Sequence, residues 1–347
     1  MKWKVVLSVL IISIAQALAQ SSLALVGSSS GIAVPVDFPV APNYVAVNRI
    51  TFAPGQVLTL QVTGIRTLLP EGQIVRATTI PLPTNLYGIS VTIDQEDGGT
   101  VIEPVPLLAL SQVNYSPSTG ANSCVNCLTY ITVQVPFELS GAATLIGISE
   151  NGTDNGPFDA NPTSDNIHVI TTCDTAATFV NCHAVVTHAD GTVISSSSPA
   201  LPNEEIVIYA FGLGKTTPMV KTGQASPTPA AFVSSGVNIQ FDFRPNAGPS
   251  RPYTGVALPA PLFVGLTPGQ VGLYQINVRL PDRFPSVPPC DGTAPPSGGS
   301  TNVVQSNLTI DIGGVNSFDG AAICVQPGQS GGGSTNGVQF PALNVGW

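Results

Sequence analysis

Leu58-Thr59-Leu60-Gln61-Val62 and Ile206-Val207-Ile208-Tyr209-Ala210 lie 148 residues apart, and each sets apolar side chains on one face of an extended chain. Successive side chains of a strand point to opposite sides, so alternation marks a half-buried strand. Ile89, Val91 and Ile93 alternate with Ser90 and Thr92, and the same offset carries them onto Val237, Ile239 and Phe241. Pro54 and Gly64 recur as Pro202 and Gly212. Ile131, Val133, Val135 and Pro136 recur as Ile276, Val278, Leu280 and Pro281, at an offset of 145. Leu308, Ile310 and Ile312 alternate around Thr309 and Asp311. Pro, Gly, Asn and Asp punctuate these runs as turns do. No stretch outside the first residues sustains a helical i, i+3, i+4, i+7 apolar pattern free of Pro and Gly.

The expected fold is therefore all-β. Two units of roughly 100–130 residues with several turn-separated strands have the size and rhythm of tandem Ig-like β-sandwich domains. The chain divides into a signal peptide over 1–19, an extended N-terminal segment over 20–47, sandwiches over 48–171 and 172–327, and a tail over 328–347. Pro35, Pro39 and Pro42 give the N-terminal segment a polyproline-like character. His168-Val169-Ile170 and Ala184 to Ser195, the latter turned by Asp190-Gly191, are strand candidates in a bridge ahead of the second unit. The tail is a flexible Gly/Ser linker followed by apolar Val338 to Trp347.

Of 347 residues only 31 are charged, 11 Lys+Arg and 20 Asp+Glu, against 35 Gly and 32 Pro. A hydrophobic fraction of 43% supplies a core, which excludes a charge-rich disordered chain. The net charge of −9 excludes a nucleic-acid partner, because little is present to neutralise phosphates. Lys2 and Lys4 precede an apolar run over Val5 to Ile14, too short to span a bilayer, and Ala17-Leu18-Ala19 offers a cleavage site. Export to the cell exterior or surface follows, with no transmembrane segment afterwards, and the charge of the remaining chain falls to −11.

In an oxidising compartment six cysteines read as disulfides. The sequence-local pairs are Cys124–Cys127, Cys173–Cys182 and Cys290–Cys324. A zinc site begun by Cys124-Val125-Asn126-Cys127 would need a second closely spaced couple, and Cys173 and Cys182 are eight residues apart between.

Chemistry is sparse. Gly147-Ile148-Ser149-Glu150 falls short of a nucleophile elbow. His168, His183 and His188 all lie in the bridge, where a histidine on a strand or turn is a commoner meaning than a metal trio. Asp94, Glu96 and Asp97 crowd one turn, a solvated hairpin tip, whereas glycoside hydrolysis needs two carboxyls across a cleft. Asp154, Asp159 and Asp165 sit in a Gly-punctuated stretch with the hard oxygen ligands calcium takes. No EF-hand order is present, and an Asn/Asp turn cluster serving backbone bonds is the plainer reading. No cofactor is expected, with calcium as the alternative.

Ala189-Asp190-Gly191-Thr192, Ile206 to Gly214, Thr217-Pro218, Phe263 to Gly269, Val271 to Val278 and Asn307 to Gly314 share the pattern of a known domain family. The second unit resembles the repeated C-terminal domains of secreted acidobacterial proteins, a family of uncharacterised role. The likeness covers about Thr187 to Val315, and the first unit over about Pro54 to Gly147. Cys290, the Pro/Gly-rich insertion over Pro288 to Ser300, the Cys124–Cys127 couple and the tail depart from the pattern. The resemblance implies an Ig-like fold and secretion in a bacterium, and carries over no catalytic residue. Two roles follow as expectations. One is a non-enzymatic surface or matrix protein for structure or adhesion, self-assembling into fibres by strand or tail exchange, with itself or another surface protein as partner. The other is a polysaccharide- or protein-binding accessory module stabilised by calcium.

Overall fold

The computed structural model describes residues 23–33, 49–96, 100–116, 123–140, 144–174, 184–195, 197–240, 244–245, 260–282, 305–306, 309–312, 315–316 and 323–325. The expected signal peptide, residues 34–47 and the apolar tail lie outside them. Among the described residues the chain is all-β, with one short 3-10 turn at Thr172–Asp174. No helix there is long and apolar enough to cross a membrane.

The first half contains β1 (Ala24–Ser30), β2 (Ile50–Phe52), β3 (Val57–Thr63), β4 (Val75–Arg76) and β5 (Ile89–Glu96), then β6 (Thr100–Val105), β7 (Leu107–Asn114), β8 (Cys127–Gln134), β9 (Thr144–Glu150) and β10 (Thr153–Pro162). They form two five-stranded sheets, β1-β3-β8-β7-β4 and β2-β10-β9-β5-β6. Neighbours are antiparallel except β2, which runs parallel to β10. Leu58, Leu60, Ile131 and Val133 from the first sheet meet Phe52, Ile89, Val91, Ile93, Ile146 and Ile148 from the second in one apolar cluster. Every second residue contributes, as the period of a strand requires.

The second half contains β11 (His168–Val169), β12 (Val186–His188), β13 (Glu205–Phe211), β14 (Thr216–Thr217), β15 (Phe232–Val233) and β16 (Val237–Gln240), then β17 (Arg244–Pro245), β18 (Phe263–Leu266), β19 (Tyr274–Arg279), β20 (Gln305–Ser306), β21 (Thr309–Ile312) and β22 (Val315–Asn316). A seven-stranded sheet runs β11-β13-β19-β18-β15-β14, with β12 also on β13; β16-β21-β22 and β17-β20 form smaller sheets. Ile206, Ile208, Ile276 and Val278 share a cluster with Val237 and Ile239. The chain changes sheets between Pro162 and His168, a few residues ahead of the 171/172 boundary expected from sequence.

Pairing register repeats between the halves. The bounds of β3 and β13 differ by 148 at both ends. Leu60 lies opposite Ile131, and Ile208 lies opposite Ile276. Ile89 and Val91 face Glu150 and Ile148; Val237 and Ile239 face Ile312 and Ile310. The order β1-β3-β8-β7 thus returns as β12-β13-β19-β18, and β10-β9-β5 as β22-β21-β16. Gly64 and Gly212, which follow β3 and β13, both hold positive φ, 90° and 76°.

One expectation changes. Ala24–Ser30 is no polyproline-like lead-in: it pairs antiparallel with β3, and Leu25 enters the core. The polar Ser28-Ser29-Ser30 hides the C-terminal half of a strand that backbone bonds to β3 and the burial of Leu25 place together. The hairpin expected around Asp94 to Gly99 is present: Asp94 to Glu96 pair with Ile102 to Thr100 in the last rungs of the β5–β6 ladder; residues 97–99 lie outside the described residues.

All eight residues of β8 are buried. Its odd-numbered Ile131 and Val133 face the first core, so the even-numbered face is covered by something else. Leu128 and Tyr130 pack with Val113, Val26, Ala33 and Tyr115. Thr132 Oγ1 lies 2.7 Å from Thr59 Oγ1, which donates to the carbonyl of Gly31 at 2.6 Å. Gln134, wholly buried, accepts from the Gly223 N–H at 2.7 Å through Oε1. Past the strand, Phe137 joins the apolar cluster of the second half. Its N–H donates to Thr222 Oγ1 at 2.9 Å. Leu82 N–H donates to the Gly223 carbonyl across the halves, and Asn166 N–H continues the β11–β13 pairing to the Gly212 carbonyl, each at 2.8 Å. Backbones meet so closely that a Cβ on Gly212 would sit 2.0 Å from the Asn166 carbonyl oxygen.

Phe137 fills a site made by both halves, so Phe137→Ala is expected to lower unfolding free energy by about 3–5 kcal/mol in urea denaturation. A loss below about 1 kcal/mol would show that the ring is not part of a shared core.

Candidate functional site

The carboxylates expected as calcium ligands are strung out. Asn151 and Gly152, both at positive φ, make the turn between β9 and β10. Asp154 and Asp159 then lie exposed along β10, roughly 16 Å apart by strand rise. Asp165 is buried beyond the strand, and its Oδ2 accepts from Ser164 Oγ at 2.8 Å. The stretch read as a loop is a hairpin, because the turn takes two residues and the rest pairs with β9. Among the described residues no three His, Cys, Asp or Glu side chains gather as metal ligands would.

Cys124 and Cys127 are disulfide-bonded with Cα atoms 5.9 Å apart. Cys324 is disulfide-bonded as well; Cys182 and Cys290, and the side chain of Cys173, lie outside what is described. Ser149 and Glu150 end β9, where Glu150 Oε1 accepts from the N–H groups of Arg66 and Thr67 and from Thr67 Oγ1. That carboxylate clamps a loop.

The two described bridge histidines have separate partners. His168 Nε2 bonds Asp174 Oδ1 at 2.9 Å, and His183 lies outside the described residues. His188, on β12, has the one arrangement that sequence spacing hid. Its Nδ1 bonds Glu204 Oε1, and its Nε2 lies 3.1 Å from both the carbonyl oxygen and Oγ of Ser198. Glu204 Oε2 accepts from the Leu201 N–H at 2.7 Å. A serine, histidine and carboxylate in this connectivity resemble a hydrolytic triad. The surroundings differ from one. The residue after Ser198 is Pro199, which has no N–H to offer an oxyanion. The Ser198 N–H is turned to the carbonyl of Ser195.

Partial burial pulls the His188 pKa down, but the hydrogen bonds with Glu204 and the Ser198 carbonyl, with the charges of Glu204 and Asp190, outweigh it and leave it raised. In its protonated form the imidazole donates from both nitrogens, to Glu204 and to Ser198. The trio is a clasp: it ties β12, the Ser195–Ser198 turn and the approach to β13. Asp190 is held low by the side-chain and backbone donors of Thr192, which fixes the Asp190-Gly191 turn.

A second feature lies where the halves face each other. A cavity of about 540 Å³ is lined by Ile32, Arg76, Ile80 and Leu82 from one half and by Phe211 and Leu273 from the other. No motif marks it, since its walls come from seven separate stretches. The chain matches no known family model and no curated protein sequence.

Because the folded pKa of His188 lies above its ordinary 6.5, the clasp stabilises fully below that value and its contribution fades as pH rises through the folded pKa. The melting-temperature gap between the parent protein and His188→Gln is expected to be larger at about pH 5.5 than at about pH 8.5. An equal gap at both values contradicts a charged clasp.

Proposed function

We propose that the protein is an exported, non-enzymatic structural or adhesion protein of the cell surface or matrix, built of tandem Ig-like sandwiches that self-associate through sheet edges. Strand order is the observation that carries the Ig-like reading. The sheet β1-β3-β8-β7 has the order A-B-E-D, and β10-β9-β5 the order G-F-C. The same orders in the second half support tandem copies. The likeness to secreted acidobacterial repeat domains agrees with export, as does the disulfide between Cys124 and Cys127.

A non-enzymatic role draws support from the chemistry of Ser198, His188 and Glu204, which braces loops without an oxyanion donor after the serine. Self-association draws support from β1. Among the described residues Ala24–Ser30 pairs on one side only, with β3, and it has neither a charge nor a proline. Sheet edges without such guards invite pairing. The opposite sheet ends on β6, which carries Glu103 and Pro104. Pairing β1 to β1 closes a dimer, whereas pairing β1 to β6 propagates a fibre.

Ser28 is the exposed residue of β1. Light scattering and electron microscopy are expected to find dimers or filaments for the parent chain. Ser28→Lys, which places a charge on the edge, is expected to raise the concentration needed for them at least tenfold. A parent chain that stays monomeric at every concentration overturns the proposal.

A further inference from the structure

The cavity between the halves has walls but no occupant of matching chemistry among the described residues. At about 540 Å³ it falls within the size range of ligand sites. Ile80 on its wall is 55% exposed, a large apolar surface left to water. Its charged lining residues are Arg76 and Asp174, one of each sign. Asp174 is already held by His168 Nε2 and by the Thr171 N–H at 2.6 Å. Such a site suits an apolar occupant without net charge.

Residues 338–347 read Val-Gln-Phe-Pro-Ala-Leu-Asn-Val-Gly-Trp, with no charged side chain and with Phe340, Leu343 and Trp347 as bulky apolar groups. Val325 bridges to Ala200, ahead of the β13 N-terminus, while the cavity lies at Phe211, the other end of that strand. Seven residues of strand span roughly 20 Å. Residues 326–337 form a linker with five glycines. A Gly-rich coil of twelve residues has a root-mean-square reach of roughly 19 Å. Effective concentration peaks when reach and span agree, which favours docking within one chain over docking between chains.

We propose that the cavity is the seat of the Val338–Trp347 segment of the same chain. Phe340 or Trp347 enters between Ile80, Leu82 and Phe211, and Arg76 at the edge offers its guanidinium to an aromatic face. This assignment is independent of edge pairing through β1.

Trp3 and Trp347 are the two tryptophans of the chain. In the chain from Gln20 onward, or in Trp3→Phe where residues 1–19 are retained, fluorescence therefore reports Trp347 alone. Acrylamide quenching is expected to be several-fold slower than for N-acetyltryptophanamide, at every protein concentration. Adding Ile80→Asp, at an exposed wall position, is expected to restore fast quenching. Adding Leu262→Asp, at a side chain 54% exposed ahead of β18, leaves it slow. Quenching as fast as the free amide in Trp3→Phe overturns the assignment. So does equal loss of protection in both added variants, and so does protection that grows with concentration, which would mean a second copy's segment. Light-scattering masses on the same samples separate this result from edge pairing: a monomer with protected Trp347 supports the seat and removes the other proposal.

Discussion

The outward face of β8 is the constraint on which the rest of the structure turns. A sandwich strand ordinarily shows one face to the core and one to water. β8 shows neither face to water, and its outward residues end in Gln134, an amide that cannot be buried without a partner at low cost. The Gly223 N–H supplies that partner. Three residues on, Phe137 leaves its own half and completes the apolar cluster of the other. The two halves are thereby not beads on a string. Each lacks part of its burial without its neighbour.

Close approach is what makes such a seam possible, and glycine permits it. Gly272 of the second half faces the Gly55 carbonyl of the first at a distance a side chain would not tolerate. Gln56, buried beside them, is bonded on every side: its Oε1 accepts from Ala53 N–H and Asn166 Nδ2, and its Nε2 donates to Ser30 Oγ. A hydrogen-bonded polar hub of this kind fixes orientation more than it adds free energy. The cavity is the region of the seam that the described residues leave open.

Much of the fold was legible because burial on one face leaves a period of two. Leu58, Leu60 and Val62, with their counterparts 148 residues later, located β3 and β13. β1 was not legible, since serines at 28–30 carry no hydrophobic signal and its position comes from backbone bonding to β3. Nor was the covered face of β8, where Thr132 and Gln134 read as solvent-facing residues. Gly212 was visible as a repeat of Gly64, but its role against Asn166 exists only in three dimensions. The same holds for His188, whose partners Ser198 and Glu204 are ten and sixteen residues away. Asp154 and Asp159, read as part of an Asn/Asp turn cluster in preference to a calcium loop, are spread along a strand by pairing with β9.

Hydrogen exchange at the seam tests the central claim most directly. The N–H groups of Leu82 and Gly223 bond across it. If the halves are fused through β8 and Phe137, these amides exchange only with global unfolding, alongside those of Leu60 and Ile208 in the two cores. Exchange at the rate of exposed loops, while Leu60 and Ile208 stay protected, would mean that the halves separate freely and that the seam carries none of the stability ascribed to it.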